Sequence, residues 1–167
     1  MNARAAHNSK LGRVVTVRLG SDGDTATVAA LFDRLGAASR ESRFHAAKPR
    51  LTAADLAALA RVDGSHHVLV AHVEGDPLPA AMARIVRDAK DRTAGELAFE
   101  VADEYQGCGI GTMLVELLLA DARAARIARV DAVVQTSNRA ALNLLRRVLP
   151  RPTVRVEGCE TVVAAAV

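Results

Sequence analysis

The chain has 167 residues, half of them hydrophobic and a quarter charged. That is enough for one domain with its own core and too apolar for a disordered chain. Aromatics make up only 2%, so the core must come from Ala, Val, Leu and Ile. The net charge of +3 suits an anionic ligand. The basic residues are scattered, with Arg146-Arg147 as the longest cluster, and no basic stretch interleaves with aromatics, so nucleic acid is not an expected partner. Two cysteines, Cys108 and Cys159, make neither a disulfide framework nor a zinc site. No apolar stretch approaches a membrane span, and the N-terminus lacks an apolar signal region, so a cytoplasmic protein without membrane contact is expected. Residues 1–12 read as a flexible tail and 13–167 as a single domain.

Val14 to Arg18 is a β-branched run and predicts a strand. Asp24 is a fitting N-cap for a helix to about Leu35, with Val28, Leu31, Phe32 and Leu35 on one face. A second helical stretch begins near Ser39. Thr52 with Asp55 resembles a capping box for a helix over about 53–61. His67 to Glu74 and Leu78 to Arg87 predict a hairpin turning at Gly75-Asp76-Pro77. A strand follows at about Gly95 to Ala102, then a Gly-rich loop. The next helix runs from about Gly109 to Ala125, with Ile110, Met113, Leu114, Leu117 and Ala124 as its buried stripe. Val130 to Gln135 predicts a strand. Asn138 to Val148 predicts a helix capped by Ser137 or Asn138 and broken by Pro150 and Pro152. Thr153 to Glu157 and Thr161 to Ala166 predict a terminal hairpin turning at Gly158. The order β, α, α, β, β, β, α, β, α, β, β points to an α/β (α+β mixed) fold, one sheet with helices on both faces.

The loop carries the most information. In Gln106-Gly107-Cys108-Gly109-Ile110-Gly111-Thr112 three glycines alternate where a strand turns into a helix. Glycine permits a left-handed φ and lets a ligand approach the backbone. Free N–H groups at a helix start form an anion cradle, which the helix dipole reinforces. The alternative is a tight packing turn. A P-loop is excluded because no Lys precedes Thr112, and the dinucleotide fingerprint fails because Thr112 stands where its third glycine would.

The segment resembles the acyl-CoA signature of the GNAT superfamily, Gln/Arg-x-x-Gly-x-Gly/Ala, and the resemblance runs from about Val14 to Val167. The stretch from Leu35 to Phe44 and the strand Gly95 to Val101 are similar to those of bacterial protein lysine acetyltransferases of the Pat type. The resemblance implies a GNAT-like central mixed sheet flanked by helices on both faces. It also implies acetyl-CoA as co-substrate and direct transfer of its acetyl group to a primary amine. The loop amides from Cys108 to Thr112 would hold the CoA pyrophosphate. Phe99 to Val101 would pair with the pantetheine arm, a strand amide near Phe99 would polarise the thioester carbonyl, and Asn138 would lie near the pantetheine and thiol. A plain N-cap is an equal reading of Asn138. Two departures stand out: a position often basic in the family is Cys108, and the frequent Tyr on the following helix is missing, Tyr105 being the only tyrosine. They keep open a non-catalytic CoA-binding module. The acceptor is open too, between a protein lysine and a small-molecule amine, as is a homodimer through the terminal hairpin.

An amine must lose a proton before it attacks a thioester, and a free lysine at pH 7 is almost wholly protonated. A carboxylate in a cleft is a common answer. Strand alternation puts Leu97, Phe99 and Val101 on one face and Glu96, Ala98 and Glu100 on the other. Two carboxylates on one face repel, which favours a proton acceptor there. Glu96 matches the catalytic Glu of the lysine acetyltransferases and is the first candidate base; Glu100 is the second. A solvated face or a salt bridge to a helix Arg is the plain alternative. His66 and His67 point to opposite faces of a strand, so no shared metal is expected, and they read as structural.

Overall fold

The computed structural model describes residues 12–167 and the backbone of a strand at 5–8. Eight strands form one sheet: β1 (Ala5–Asn8), β2 (Val14–Leu19), β3 (His66–Val73), β4 (Pro79–Arg87), β5 (Ala94–Val101), β6 (Arg129–Gln135), β7 (Thr153–Glu157) and β8 (Glu160–Ala166). Their order is β1-β2-β3-β4-β5-β6-β8-β7. Every neighbouring pair is antiparallel except β5 and β6. The helices are α1 (Thr25–Asp33), α2 (Ala37–Phe44), α3 (Ala53–Leu59), α4 (Ile110–Ala124) and α5 (Arg139–Val148). A 3-10 turn at Asp103–Tyr105 precedes the Gly-rich loop. No helix among the described residues is long and apolar enough to cross a membrane.

The flexible tail expected over 1–12 is partly ordered, because Ala5–Asn8 pair antiparallel with Val14–Val17 of β2. Ala and Asn have poor strand propensity, so the exposed edge of β2 supplies the order. The rest of that reading, apart from Gly12, lies outside the described residues.

Local chemistry starts three helices where the sequence predicts. Asp24 accepts from the Thr27 N–H at 3.1 Å. Thr52 and Asp55 form the full reciprocal capping box. Asn138 Oδ1 accepts from the Ala141 N–H at 3.0 Å. Helix α2 begins at Ala37, before the predicted Ser39, because its cap is remote: the Gly36 N–H donates to Asp103 Oδ2 at 3.0 Å. A Cβ on Gly36 would meet that oxygen at 2.7 Å, so any other residue there would push the Asp103 carboxylate aside.

Residues Val68–Ala71 and Ala80–Ala83 of the β3–β4 hairpin are buried on both sheet faces, as expected for central strands covered on both sides. Helix α4 covers one face, packing on β3, β4 and β5, and α1 packs on β4. Arg84 of β4 reaches the Ala58 and Leu59 carbonyls of α3 from the face opposite α4. The buried stripe of α4 is rotated from the predicted one. Ile110 and Leu114 belong to it, but Val115, Leu118, Leu119 and Ala122 complete it. Met113 and Leu117 are half-buried and Ala124 is exposed. A helix laid over three strands buries a wider arc than a narrow i, i+3, i+4 stripe.

One polar cluster ties the start of the chain to the Gly-rich loop. Arg34, at the end of α1, binds Asp76 at 2.7 Å, Glu104 through its Nε at 2.9 Å, and the Pro79 carbonyl at 3.1 Å. Its guanidinium also lies over the Tyr105 ring, whose hydroxyl donates to Asp76 at 2.7 Å. Burial would raise the Asp76 carboxyl, but hydrogen bonds from Arg34, the Leu78 N–H and Tyr105 outweigh it and hold it at about 2. A lowered carboxylate stabilises the fold above its unfolded value near 4, and that contribution is lost as pH falls through 2. Asp76→Asn should therefore cost about 1–3 kcal/mol at neutral pH in urea unfolding. The gap to the parent should narrow between about pH 4 and 2; a gap independent of pH would exclude the ion pair as its source.

Candidate active site

The site begins where two strands part. Strands β5 and β6 share three parallel pairs, Ala94 with Arg129, Gly95 with Val130 and Glu96 with Asp131. Beyond Glu96, β5 stays with β4 up to Val101, and β6 stays with β8 up to Gln135. The sheet is split between them, and a cleft of about 520 Å³ fills the split. The Ala102 N–H donates to the Ala80 carbonyl at 2.8 Å. By the antiparallel alternation, Phe99 and Val101 then turn their backbone groups away from β4, toward the cleft. Glu96, Glu100, Phe99, Val101, Gln106, Gly107, Gly109, Ile110, Gly111, Thr112 and Asn138 all line this cleft. Sequence reasoning therefore chose residues that the fold brings together. Cys108 is the exception. It lies off the wall, and its Sγ donates to the Gln106 carbonyl at 3.5 Å.

The three glycines are needed for different reasons. Gly107 and Gly109 have φ of +75° and +90°, a left-handed backbone that costs an L residue roughly 1–2 kcal/mol. Nothing lies within 4 Å of a Cβ built on either, so open space is kept over them. Gly111 has an ordinary helical backbone, but its Cβ would meet Leu144 and Val101 at 3.2 Å. It lets α4 sit close to β5 and α5. With Gly109 as N-cap, the amides of Ile110, Gly111 and Thr112 have no acceptor within the helix, and they open on the cleft. Gln106 braces the loop: its Nε2 donates to Val101 O, Asp103 Oδ1 and Ser39 Oγ at 3.1–3.2 Å.

The carboxylates of β5 are treated unequally. Glu100 is bound by Arg43 of α2 at 2.5 Å, and its side chain is only 11% exposed. Glu96 is exposed and has no hydrogen bond or ion pair among the described residues. Arg84 stands opposite Ala98, between the two, and is 7% exposed. Burial and the Arg43 charge lower the proton affinity of Arg84, while the charges of Glu100 and Glu96 work to retain it. The adjacent histidines are structural: His66 binds Asp63 at 2.8 Å and His67 binds Asp121 at 2.7 Å. Tyr105 borders the cleft, but its hydroxyl is committed to Asp76.

Sequence reasoning missed Arg43, Arg84 and Arg147. Arg147 lines the cleft and donates to Thr112 Oγ1 at 2.7 Å. It follows Ala140 by seven residues and Asn143 by four, and both also line the cleft, so the helical repeat puts all three on one face of α5.

Residues 29–149 match the model of the acetyltransferase (GNAT) family. Over 97 residues, 58% of the chain, it is 38% identical to the acetyltransferase Pat of Mycolicibacterium smegmatis, a stretch that is 29% of that relative's length. The crystal structure of the GNAT domain of S. lividans PAT superposes with a TM-score of 0.87 at 24% identity, covering 98% of this chain and 96% of that one. The Salmonella typhimurium protein yncA, solved with its cofactor acetyl-CoA, superposes with a TM-score of 0.71 at 20% identity, covering 91% and 93%. These two likenesses establish the fold. The chain belongs to the GNAT family of acetyltransferases, enzymes that use acetyl-CoA as acyl donor.

The residues present fit that donor: free helix amides for its phosphates, and the Phe99 backbone groups and Val101 N–H, which turn away from β4, for its amide-bearing arm. Gly109→Ala should distort the loop and weaken CoA binding about tenfold or more. Cys108→Ser should leave it within about twofold, because that side chain is off the wall. Equal losses in the two variants, measured by calorimetry, would show that the loop does not carry the anion.

Proposed function

We propose that this chain transfers the acetyl group of acetyl-CoA to the primary amine of a protein lysine. The observation that carries the reading is the unpartnered Glu96 beside the split between β5 and β6. Acetyl-CoA supplies an activated thioester carbon. The chain's own residues then have three tasks. The amides of Ile110 to Thr112 hold the pyrophosphate at the head of α4. The Phe99 backbone groups and the Val101 N–H pair with the pantetheine arm in place of the missing β6 neighbour, and the Phe99 N–H polarises the thioester carbonyl. Glu96, directly or through a water, takes a proton from the incoming ammonium so that the amine can attack.

Glu96 is favoured over Glu100 because a base needs a free lone pair, and Arg43 already occupies Glu100. Asn138 caps α5 and lines the cleft, so its cap role and a place near the thiol coexist. The departing thiolate takes its proton from solvent, since the one tyrosine is bound to Asp76. The resemblance of residues 35–44 and 95–101 to Pat-type protein lysine acetyltransferases supports a lysine over a small amine. Two copies would meet along β7, whose Val154 and Val156 are 40% and 62% exposed.

Glu96→Gln keeps the shape and loses the basicity. At pH 7 its turnover should fall about 10²–10⁴-fold while CoA affinity holds, and the loss should shrink as pH nears that of the free amine. Glu100→Gln, which releases Arg43, should show no such recovery at high pH. Parental turnover in a folded Glu96→Gln protein, read from pH–rate profiles of the three, would remove Glu96 from the chemistry.

A further inference from the structure

We infer that Arg147 is a binding residue for the diphosphate of CoA, supplying from α5 the cation that the loop itself lacks; this rests on the reading of the cleft as a CoA site. Between Gln106 and Thr112 the loop offers amides but no charged side chain, with Cys108 at its centre and turned off the wall. A doubly charged ligand group met only by amides lacks the stronger, charge-assisted hydrogen bonds. Two arginines line the cleft. Arg43 is committed to Glu100. Arg147 has no carboxylate partner among the described residues, and its one hydrogen bond is to the Thr112 hydroxyl, at 2.7 Å.

That hydroxyl belongs to the first turn of α4, the turn whose amides are free. The bond therefore parks an uncompensated guanidinium at the mouth of the anion cradle. Its remaining donors are in a fork suited to two phosphate oxygens. The neighbouring Arg146 is exposed on the same helix turn but does not line the cleft, which makes it the natural control.

The test is calorimetric affinity for acetyl-CoA, acetyl-dephospho-CoA and S-acetylpantetheine in the parent, Arg147→Gln and Arg146→Gln proteins. Arg147→Gln should weaken acetyl-CoA about 10–100-fold, the equivalent of a lost charged hydrogen bond. The loss should persist with the dephospho compound, which keeps the diphosphate, and vanish with acetylpantetheine, which has no phosphate. It should also shrink as salt rises, because the group is exposed. Arg146→Gln should match the parent. A loss confined to the ligand with the 3′-phosphate would overturn the diphosphate assignment, and equal affinities in parent and Arg147→Gln would overturn the role altogether. A parent protein that binds none of the three ligands would instead overturn the CoA site itself.

Discussion

Strands β5 and β6 pair in parallel for three residues and then separate. A sheet opened in its middle exposes backbone donors and acceptors that must be satisfied some other way. Most of the site answers that constraint. Gln106 satisfies the Val101 carbonyl. Helix α2, which has no buried residue, is tied to both sides of the gap: through Arg43 to Glu100 of β5, and through the Glu41 carbonyl, which accepts from Gln135 of β6 at 3.2 Å. Helix α5 closes the other side, with Leu144 against the space that Gly111 leaves open. An extended, amide-bearing ligand arm fits such a gap because it can take the place of the strand that left.

The second organising feature is a row of charges on one face of the sheet. Glu96, Arg84 and Glu100 alternate across β4 and β5, and Arg43 closes the row from α2. A buried arginine is costly unless its charge is answered. The Ala58 and Leu59 carbonyls and the two flanking glutamates answer it, although the Arg84 Nε itself has no partner. The arrangement separates two carboxylates that strand alternation alone leaves equivalent: one is bound to Arg43 of α2, and the other has no hydrogen bond or ion pair among the described residues.

What the sequence made legible was local. The Thr52–Asp55 box, the Asp24 and Asn138 caps and the β3–β4 turn are encoded within a few residues, and the structure has them where the patterns indicate. The alternating glycines marked the loop for the same reason. The illegible parts depend on distant partners. Ala5–Asn8 becomes a strand only against β2. Helix α2 starts early because Asp103 reaches back to Gly36. The unequal fates of Glu96 and Glu100 depend on Arg43, 57 residues away from Glu100 in sequence. The alternation of one strand shows its own carboxylates and not the arginine of the next, Arg84.

On the proposed function, acetyl-CoA satisfies the exposed edge of β5 and the first turn of α4 together. Amide hydrogen exchange, resolved residue by residue with and without saturating acetyl-CoA, tests it most directly. Protection should rise at Phe99, Val101 and Ile110 to Thr112, while the amides of the β3–β4 hairpin stay unchanged. Binding that leaves the Phe99 and Val101 amides exchanging at their free rate would show that the ligand does not enter the split in the sheet.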